Sequence, residues 1–359
     1  MDVVAVIMAG GVGTRFWPAS TRTRPKQFLR LIGERTLLQE SYERATMLTS
    51  DDRIVVLTSE DFVPEVRKQL PLLPALNVIG EPARRDTAGA VALASLVCRE
   101  LFGDAVMVVL TADHWISPLQ EFQRTIDAAV RLSLRTEAIC TIGVTPGYPA
   151  TGYGYLHCPL LLTDVGGVAH GEVSSFREKP DLATAAGYVA SGEYWWNSGM
   201  FVWSVGTIMR ELEANLPRHL RILEPAIAGK ARSGLEAALA KVFPTLPAIS
   251  IDYAVMEKAK RVHMVRSTFA WSDLGGWTAL EDYLPDEQGN KCEGRTIALD
   301  AVDNVVFCED RDELVALLGV HGLVVARAAG RTLVADKRRA EDVKKLVALL
   351  EERGEGRDL

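Results

Sequence analysis

The first half of the chain alternates between short strand-like runs and helix-like stretches, which strongly limits the folds it can adopt. The strand-like runs are apolar and rich in β-branched residues, and they lie at Val3–Met8, Arg53–Thr58, Val106–Leu110 and Ala138–Val144. Helix-like stretches separate them, at Thr36–Thr46, Thr87–Leu101 and Glu121–Leu134. This alternation predicts an α/β fold with a doubly wound, mainly parallel, Rossmann-like sheet. Continuous apolar strands fit burial on both faces of such a sheet.

Glycines and basic residues follow the first predicted strand. The strand leads into Gly10-Gly11-Val12-Gly13-Thr14-Arg15, and a second basic segment, Arg24-Pro25-Lys26-Gln27-Phe28, comes shortly after. Ligands bind at the carboxyl ends of strands in these sheets. Glycines let backbone N–H groups approach phosphates, while Arg and Lys supply charge. The segment is either a polyphosphate site or a simple turn. Phe16 argues against a dinucleotide fingerprint, and the loop lacks the Lys of a P-loop.

Two aspartates are candidate ligands of a divalent cation. Asp113 follows the strand-like run Ala105–Leu110, and Asp273 lies beside Gly275 and Gly276. Mg²⁺ is usually held by one or two protein carboxylates together with substrate phosphates, so two aspartates on separate loops meet its needs. Each could instead be an ordinary turn or helix-capping residue.

Glu81 is a candidate for nucleobase recognition. It follows the strand-like run Leu76–Gly80, and a carboxylate can accept hydrogen bonds from the two neighbouring N–H groups of guanine. Arg85 and Thr87 lie just beyond it and are further nucleotide-binding candidates. The alternative is that this segment only caps the next helix.

Three segments carry groups suited to a sugar phosphate. Glu178 and Lys179 precede Pro180. Strand neighbours point to opposite faces, so these two can serve one ligand only at a strand end or turn. Close-approach backbone and small hydrogen-bonding groups suit a polyhydroxyl ligand, and they are supplied by Gly154, Asn197 and Ser198. A solvated loop and ordinary turns are the alternatives.

The bulk properties exclude several classes of function. A net charge of −7 and a pI near 5.5 argue against general nucleic-acid or membrane binding. No apolar stretch approaches the roughly 18–20 residues of a membrane span. The five cysteines are widely spaced, which favours incidental thiols in a reducing compartment over a zinc site or a disulfide framework. We therefore expect a cytoplasmic enzyme.

A polar, turn-rich stretch at Tyr283–Asn290 predicts a boundary, with a catalytic domain at 1–284 and a small β-rich domain at 285–359. Beyond it, the amphipathic helix Arg339–Glu352 follows short β-like runs at Thr296–Leu299, Asn304–Cys308, Leu314–Leu318, Leu323–Ala326 and Thr332–Ala335. No candidate ligand residue lies there. We expect this domain to serve assembly and stability, and a two-fold homodimer is the commonest arrangement.

Together, these motifs resemble those of the sugar-1-phosphate nucleotidylyltransferases, from residue 3 to about residue 280. The strings Pro-Lys-Gln-Phe and Ile-Asp-Tyr-Ala-Val-Met-Glu-Lys are similar to the guanylyltransferase branch. Members usually have Asn, then Thr-Ala-Pro, where this chain has Asp86-Thr87-Ala88-Gly89. The matching motifs are Gly10-Gly11-x-Gly13-Thr14-Arg15, Trp17-Pro18-x-Ser20, Pro25-Lys26-Gln27-Phe28, Asp113-His114, Thr151-Gly152-Tyr153-Gly154, Glu178-Lys179-Pro180, Asn197-Ser198-Gly199-Met200-Phe201, Ser250-Ile251-Asp252-Tyr253-Ala254-Val255-Met256-Glu257-Lys258 and Trp271-Ser272-Asp273.

The resemblance implies transfer of GMP from GTP to mannose 1-phosphate, with release of pyrophosphate and Mg²⁺ as cofactor. It also implies a left-handed β-helix-like C-terminal domain; bifunctional members continue into a cupin-like isomerase domain that this chain is too short to contain. The implied roles are catalysis by Arg15 and Lys26, nucleotide binding by Gly10, Gly11, Gly13, Thr14, Glu81, Arg85 and Thr87, sugar-phosphate binding by Gly154, Glu178, Lys179, Asn197 and Ser198, and metal binding by Asp113 and Asp273.

Two alternatives remain open at this point. The same scaffold could use another sugar 1-phosphate or another base. The chain could also be a nucleotide-sensing subunit without turnover, although such a subunit would be expected to lose Lys26 or a metal-binding Asp, and this chain has Lys26, Asp113 and Asp273.

Overall fold

The computed structural model describes residues 2–11, 13–230 and 233–356, so Val12 of the predicted phosphate loop and the last three residues of the predicted C-terminal domain lie outside the described residues. The α-helices are α1 (Leu37–Thr46), α2 (Val63–Gln69), α3 (Asp86–Phe102), α4 (Leu119–Thr136), α5 (Leu182–Ser191), α6 (Val205–Asn215), α7 (Pro217–Ile227), α8 (Leu235–Val242) and α9 (Val343–Glu352). The strands are β1 (Val3–Ala9), β2 (Ile54–Ser59), β3 (Val78–Glu81), β4 (Val106–Thr111), β5 (Trp115–Ser117), β6 (Ile139–Val144), β7 (Gly154–His157), β8 (Leu162–Val165), β9 (Val168–Glu172), β10 (Ser175–Glu178), β11 (Tyr194–Ser204), β12 (Val262–Arg266), β13 (Ala270–Ser272), β14 (Asp286–Glu287), β15 (Asn290–Glu293), β16 (Arg295–Leu299), β17 (Val305–Cys308), β18 (Leu314–Leu318), β19 (Leu323–Ala328) and β20 (Arg331–Asp336).

The chain divides into two compact units, and it passes between them several times. The first unit comprises Met1–Gly10, Ser41–Thr111 and Ile116–Trp271. The second comprises Gly11–Glu40, Ala112–Trp115 and Ser272–Leu359. The segments that carry the predicted phosphate loop and Asp113 therefore group with the C-terminal part of the chain. The predicted division into domains at 1–284 and 285–359 stays a prediction.

A large mixed sheet forms the centre of the first unit. Its strands lie in the order β3-β2-β1-β4-β11-β6-β12-β9-β8. Neighbours from β3 to β4 are parallel, as are β6 and β12, whereas β11 runs antiparallel to β4 and β6. The predicted doubly wound, mainly parallel sheet is confirmed. The carboxyl ends of β1, β3 and β4 lie at one edge, so Gly10 and Glu81 both lie where such sheets bind ligands.

Helices cover this sheet with apolar surfaces that the sequence pattern explains. Helix α3 is buried from Ala88 to Cys98, as its run of Ala, Val and Leu requires. Helix α4 buries an apolar stripe at helical spacing that includes Phe122, Ile126, Ala129 and Val130, whereas Leu134 is 46% exposed. A short π-helix, Asp252–Met256, lies in the string that resembles the guanylyltransferase branch.

The second unit contains the predicted β-rich module. Parallel pairing of β15 with β17, of β17 with β19 and of β16 with β18 stacks successive segments as a β-helix does. A core of buried residues joins this module to the early segment of the chain, and its members include Phe16, Trp17, Leu29, Leu274, Trp277, Phe307, Leu333, Ala340 and Val343. The β-helix-like architecture is confirmed.

Candidate active site

The glycine loop in the second unit is shaped around Lys26. Gly11 and Gly13 have φ values of 99° and 63°, in the left-handed region that favours glycine. A Cβ at position 13 would lie 2.4 Å from Cβ of Lys26, so only glycine fits there. Thr14 begins a short 3₁₀-helix that carries Arg15. The predicted loop and the lysine that follows it in the chain thus form one structure.

Lys26 connects the two predicted metal-binding segments. Its side chain is buried, and its Nζ donates a hydrogen bond to Oδ2 of Asp113 at 3.0 Å. The same ammonium group donates to the backbone carbonyl of Asp273. Residues that lie far apart in the sequence therefore meet at one cation, which is an arrangement suited to a highly charged ligand.

Asp113 is held in its ionised form. Burial alone would raise the pKa of this carboxyl, but the charges of Lys26 and His114 and the hydrogen bond from Lys26 outweigh it and lower the pKa. An ionised carboxylate beside a buried ammonium is a hard oxygen donor that suits Mg²⁺. Among the residues described here, no cluster of three or more His, Cys, Asp or Glu side chains could hold a metal. Mg²⁺ needs fewer protein ligands than that, because waters and phosphates complete its shell.

Arg15 has partners that the sequence did not predict. Its Nε lies 3.1 Å from Oε2 of Glu341, and its Nη1 donates to the carbonyl oxygen of Gly275 at 3.4 Å. Glu341 belongs to a 3₁₀-helix, Lys337–Asp342, in the C-terminal module. The guanidinium group is therefore oriented by two segments from the C-terminal part of the chain.

Glu81 lies at the end of β3 in the first unit, in an environment that disfavours its charge. Burial raises the pKa of this carboxyl from 4.5 to about 7. A group whose pKa is this strongly shifted is a candidate for a functional role. Gly10, which follows β1, is exposed, and a Cβ there would meet nothing within 4 Å. Packing therefore does not require glycine at position 10.

Arg85 and Thr87 both tie the start of α3 to a neighbouring segment of the first unit. The Arg85 guanidinium donates to the carbonyl oxygen of Pro244, with Nε at 2.9 Å, and Thr87 Oγ1 accepts from the Ile251 amide at 2.8 Å. Asp86 has a φ of 60°, which Asn and Asp adopt more readily than other side chains. An aspartate is therefore well suited to this backbone position. The nucleotide contacts of Arg85 and Thr87 stay predictions.

Glu178 and Lys179 lie at a strand end, as the sequence argument required. Strand β10 ends at Glu178, and Lys179 has a φ of 46°, so the two side chains meet and form an ion pair of 2.9 Å. The hydrogen bond that Lys179 donates to Glu178 raises the pKa of Lys179, which keeps the lysine charged. Gly154 pairs with Glu178 across the strands, and a Cβ there would lie 2.6 Å from Glu178 Oε2.

Asn197 is the centre of a hydrogen-bond chain that fixes its amide. Thr141 Oγ1 donates to Asn197 Oδ1 at 2.8 Å, and Asn197 Nδ2 donates to Asp252 Oδ1 at 3.4 Å. Burial, and then the nearby charge of Glu178, raises the pKa of Asp252 to about 6. Ser198 is buried, and its hydroxyl accepts a hydrogen bond from the Met200 amide at 3.3 Å, so it stabilises the local backbone turn. Its sugar contact stays a prediction.

Sequence reasoning missed Asp252 and Thr141 as parts of this group. Asp252 stood inside a string that resembles the guanylyltransferase branch, but we assigned it no role. Thr141 lies inside the apolar strand β6 and gave no signal of its own.

Within residues 2–11, 13–230 and 233–356, no helix is both long enough and apolar enough to cross a membrane.

Comparison with known families agrees with the motifs. The nucleotidyl transferase family profile matches residues 4–288, and a mannose-phosphate isomerase/GMP-like β-helix domain profile matches residues 294–350. The two matches correspond to the α/β sheet region and to the β-rich module, respectively. The predicted resemblance to nucleotidylyltransferases is confirmed.

Individual relatives match over nearly the whole chain. A mannose-1-phosphate guanylyltransferase of Klebsiella pneumoniae is 38% identical over 98% of this chain and 74% of the relative. That of Escherichia coli K12 is 36% identical over 95% of this chain and 72% of the relative. A crystal structure from Thermus thermophilus, named a mannose-1-phosphate geranyltransferase, covers 98% of this chain and all of that one, with 35% identity and a TM-score of 0.85. The chain therefore belongs to the nucleotidyl transferase family and, within it, to the mannose-1-phosphate guanylyltransferases.

Proposed function

We propose that this protein transfers GMP from GTP to mannose 1-phosphate and releases pyrophosphate. The observation that carries the proposal is the meeting of Lys26 with Asp113 and with the backbone of Asp273, beside the Gly13 turn. Such a group of one cation and two acidic segments suits a triphosphate bound together with a divalent cation. The names of the relatives support guanine as the base and mannose 1-phosphate as the acceptor.

Asp113 and Asp273 would hold Mg²⁺, and their chemistry fits it. Both lie on loops of the second unit that contact Lys26, and Asp113 is ionised. When bound, Mg²⁺ would supply charge neutralisation at the phosphate oxygens. Lys26 already neutralises Asp113 in this structure, so the same carboxylate can exchange an ammonium partner for a metal without being left as an isolated charge.

The reaction needs positioning and positive charge more than it needs a base. An oxygen of the sugar phosphate attacks the α-phosphorus of GTP in line, a new P–O bond forms, and the bond to pyrophosphate breaks. The attacking oxygen is already anionic at neutral pH, so no residue has to remove a proton from it. Lys26 and Arg15 would neutralise negative charge on the triphosphate, which is the main contribution of protein groups in phosphoryl transfer.

Lys179 would hold the phosphate of the sugar substrate. Its pairing with Glu178 raises its pKa, so it acts as a fixed cation and not as a proton acceptor. The Asn197 amide, oriented by Thr141 and Asp252, would read sugar hydroxyls together with Glu178. A site built from hydrogen-bonding groups discriminates strongly, because a wrong hydroxyl leaves buried partners unpaired.

Glu81 would read guanine by accepting hydrogen bonds from N1–H and N2–H₂. Only the ionised carboxylate can accept both, and its pKa of about 7 means that it is partly protonated at neutral pH without a ligand. Binding of guanine would therefore favour loss of the Glu81 proton.

We expect the active form to be a cytoplasmic homodimer. Ile297 and Leu299 on β16, with Leu314 and Leu318 on β18, are each more than half exposed and lie side by side on a two-stranded sheet. Contiguous apolar surface of this kind marks interaction sites, and a second copy of the chain is the partner we expect on it.

All five cysteines are free and buried, which fits a reducing compartment.

A substrate panel tests this function. Purified protein is incubated with Mg²⁺ and each pair of GTP, ATP or UTP with mannose 1-phosphate, glucose 1-phosphate or galactose 1-phosphate, and pyrophosphate release is measured. We expect GTP with mannose 1-phosphate to give the highest kcat/KM. Higher activity with another pair would assign another substrate, and GTP binding without turnover of any pair would favour a sensing subunit.

A further inference from the structure

Glu341 connects the C-terminal module to the guanidinium group of Arg15. Its carboxylate lies 3.1 Å from Arg15 Nε, and the carbonyl oxygen of Gly275 accepts from Arg15 Nη1 at 3.4 Å. The two contacts involve different nitrogens of the planar guanidinium. Gly276 is close to both residues of the ion pair, because a Cβ there would be 3.7 Å from Glu341 Oε1 and 3.9 Å from Arg15 Cβ. Two segments of the chain, one carrying Gly275 and one carrying Glu341, thus set the orientation of Arg15.

The backbones that carry Arg15 and Glu341 are fixed by packing. Phe16, which follows Arg15, and Ala340, which precedes Glu341, belong to the same buried core. The ring of Phe16 also lies edge-on to Trp277, with centroids 5.1 Å apart. The ion pair is therefore not a chance meeting of two long side chains, since the residues next to both partners are held in place.

We propose that Glu341 is a positioning residue for Arg15, so that the C-terminal module takes part in the nucleotidyl transfer. This inference rests on the proposed function. An exposed ion pair contributes little to stability. The main effect of the Arg15–Glu341 pair is therefore to orient the guanidinium group. A misplacement of about 1 Å at a reacting site can lower a rate by roughly 10²-fold. The negative charge of Glu341 also opposes triphosphate binding, so its removal should not weaken the affinity for GTP.

The test compares Glu341→Ala with Glu351→Ala. Glu351 lies in the same module and pairs with Arg22, whose charge has no role in the proposed mechanism. We expect Glu341→Ala to lower kcat about tenfold with an unchanged or lower KM for GTP, and Glu351→Ala to stay within about twofold of the wild type. Glu341→Gln keeps an oxygen that can accept from Arg15 Nε, so it should retain most of the kcat.

A double-mutant cycle separates positioning of Arg15 from any other effect. In an Arg15→Ala background, Glu341→Ala should cause no further loss of kcat. An equal loss in both backgrounds, or a wild-type kcat in Glu341→Ala, would overturn the inference.

Chemical labelling tests whether Glu341 restrains Arg15 without relying on turnover. A wild-type protein without turnover would refute the proposed function, and the labelling result would still test the role of Glu341. Phenylglyoxal modification of Arg15, followed by peptide mass spectrometry without nucleotide, should be several-fold faster in Glu341→Ala than in the wild type or in Glu351→Ala. Equal labelling rates would show that Glu341 does not restrain Arg15.

Discussion

Replacing Glu81 by Gln should make the ligand-free protein more stable at alkaline pH. The pKa of Glu81 is raised by burial from 4.5 to about 7. At roughly 1.4 kcal/mol per pKa unit, the ionised carboxylate lowers the free energy of unfolding by about 3 kcal/mol relative to the protonated form. Glutamine keeps the shape and has no charge to bury. The residue would thus be retained for ligand recognition at a cost to stability.

The sign of the pH dependence follows from proton binding. Because the folded state holds the Glu81 proton more tightly than the unfolded state, the stabilisation is complete below pH 4.5 and is lost as the pH rises through about 7. The stability difference between Glu81→Gln and the wild type should therefore grow by about 3 kcal/mol between pH 4.5 and pH 8. Urea unfolding at several pH values measures it, with Glu60→Gln as a control for removal of one exposed carboxylate in the same unit.

Binding of GTP offers a second measurement of the same group. If guanine needs the ionised carboxylate, GTP binding near pH 7 should release a proton from Glu81. Titration calorimetry in buffers of different ionisation enthalpy should detect that release in the wild type, and less of it in Glu81→Gln. A stability difference that does not change with pH would refute the burial argument, and equal proton release would place the guanine contact elsewhere.

Three further predictions concern the phosphate and sugar groups. Lys26→Ala should lower kcat/KM by roughly 10²–10³-fold, and a folded variant with near-normal kcat/KM would exclude Lys26 from catalysis. Asp113→Asn should abolish the response of the rate to added Mg²⁺, which a metal titration with GTP checks; wild-type metal dependence would mean that Asp113 is not a ligand. Thr141→Val removes the hydrogen bond that orients Asn197, so the KM for mannose 1-phosphate should rise about tenfold while that for GTP stays constant. Thr141→Ser should restore it, and an unchanged KM in Thr141→Val would show that Asn197 does not need this partner.

Much of the fold was predictable because its strands are continuous apolar runs. Strands β1, β2, β4 and β6 begin and end within a residue or two of their predicted bounds. The position of Glu178 and Lys179 was also predictable, since only a strand end lets neighbouring side chains meet. Both inferences use local pattern and elementary backbone geometry, which a single sequence contains.

The remaining parts of the site depend on tertiary packing, which leaves no local signal. Glu341 is one acidic residue in a charged segment, and its meeting with Arg15 arises because Phe16 and Ala340 share a core. In the sequence, Thr141 looks like an ordinary strand residue. Its role follows only from the hydrogen bond that it donates to Asn197 in the folded protein. The expectation that residues after 285 serve assembly and stability rested on their lack of ligand residues, and it stays a prediction.

The second unit has a consequence for the growing polypeptide during synthesis. Trp277 donates its indole N–H to the carbonyl oxygen of Trp17 at 3.0 Å, across 260 residues of chain. At translation rates of about 5–20 residues per second, Trp17 waits on the order of half a minute for that partner, and longer for Phe307 and Val343. The glycine loop should therefore stay without its supporting core until residues up to Val343 have left the ribosome, while the strands from β1 to β4 can already pair. We expect nascent chains to acquire triphosphate affinity only after those residues have emerged.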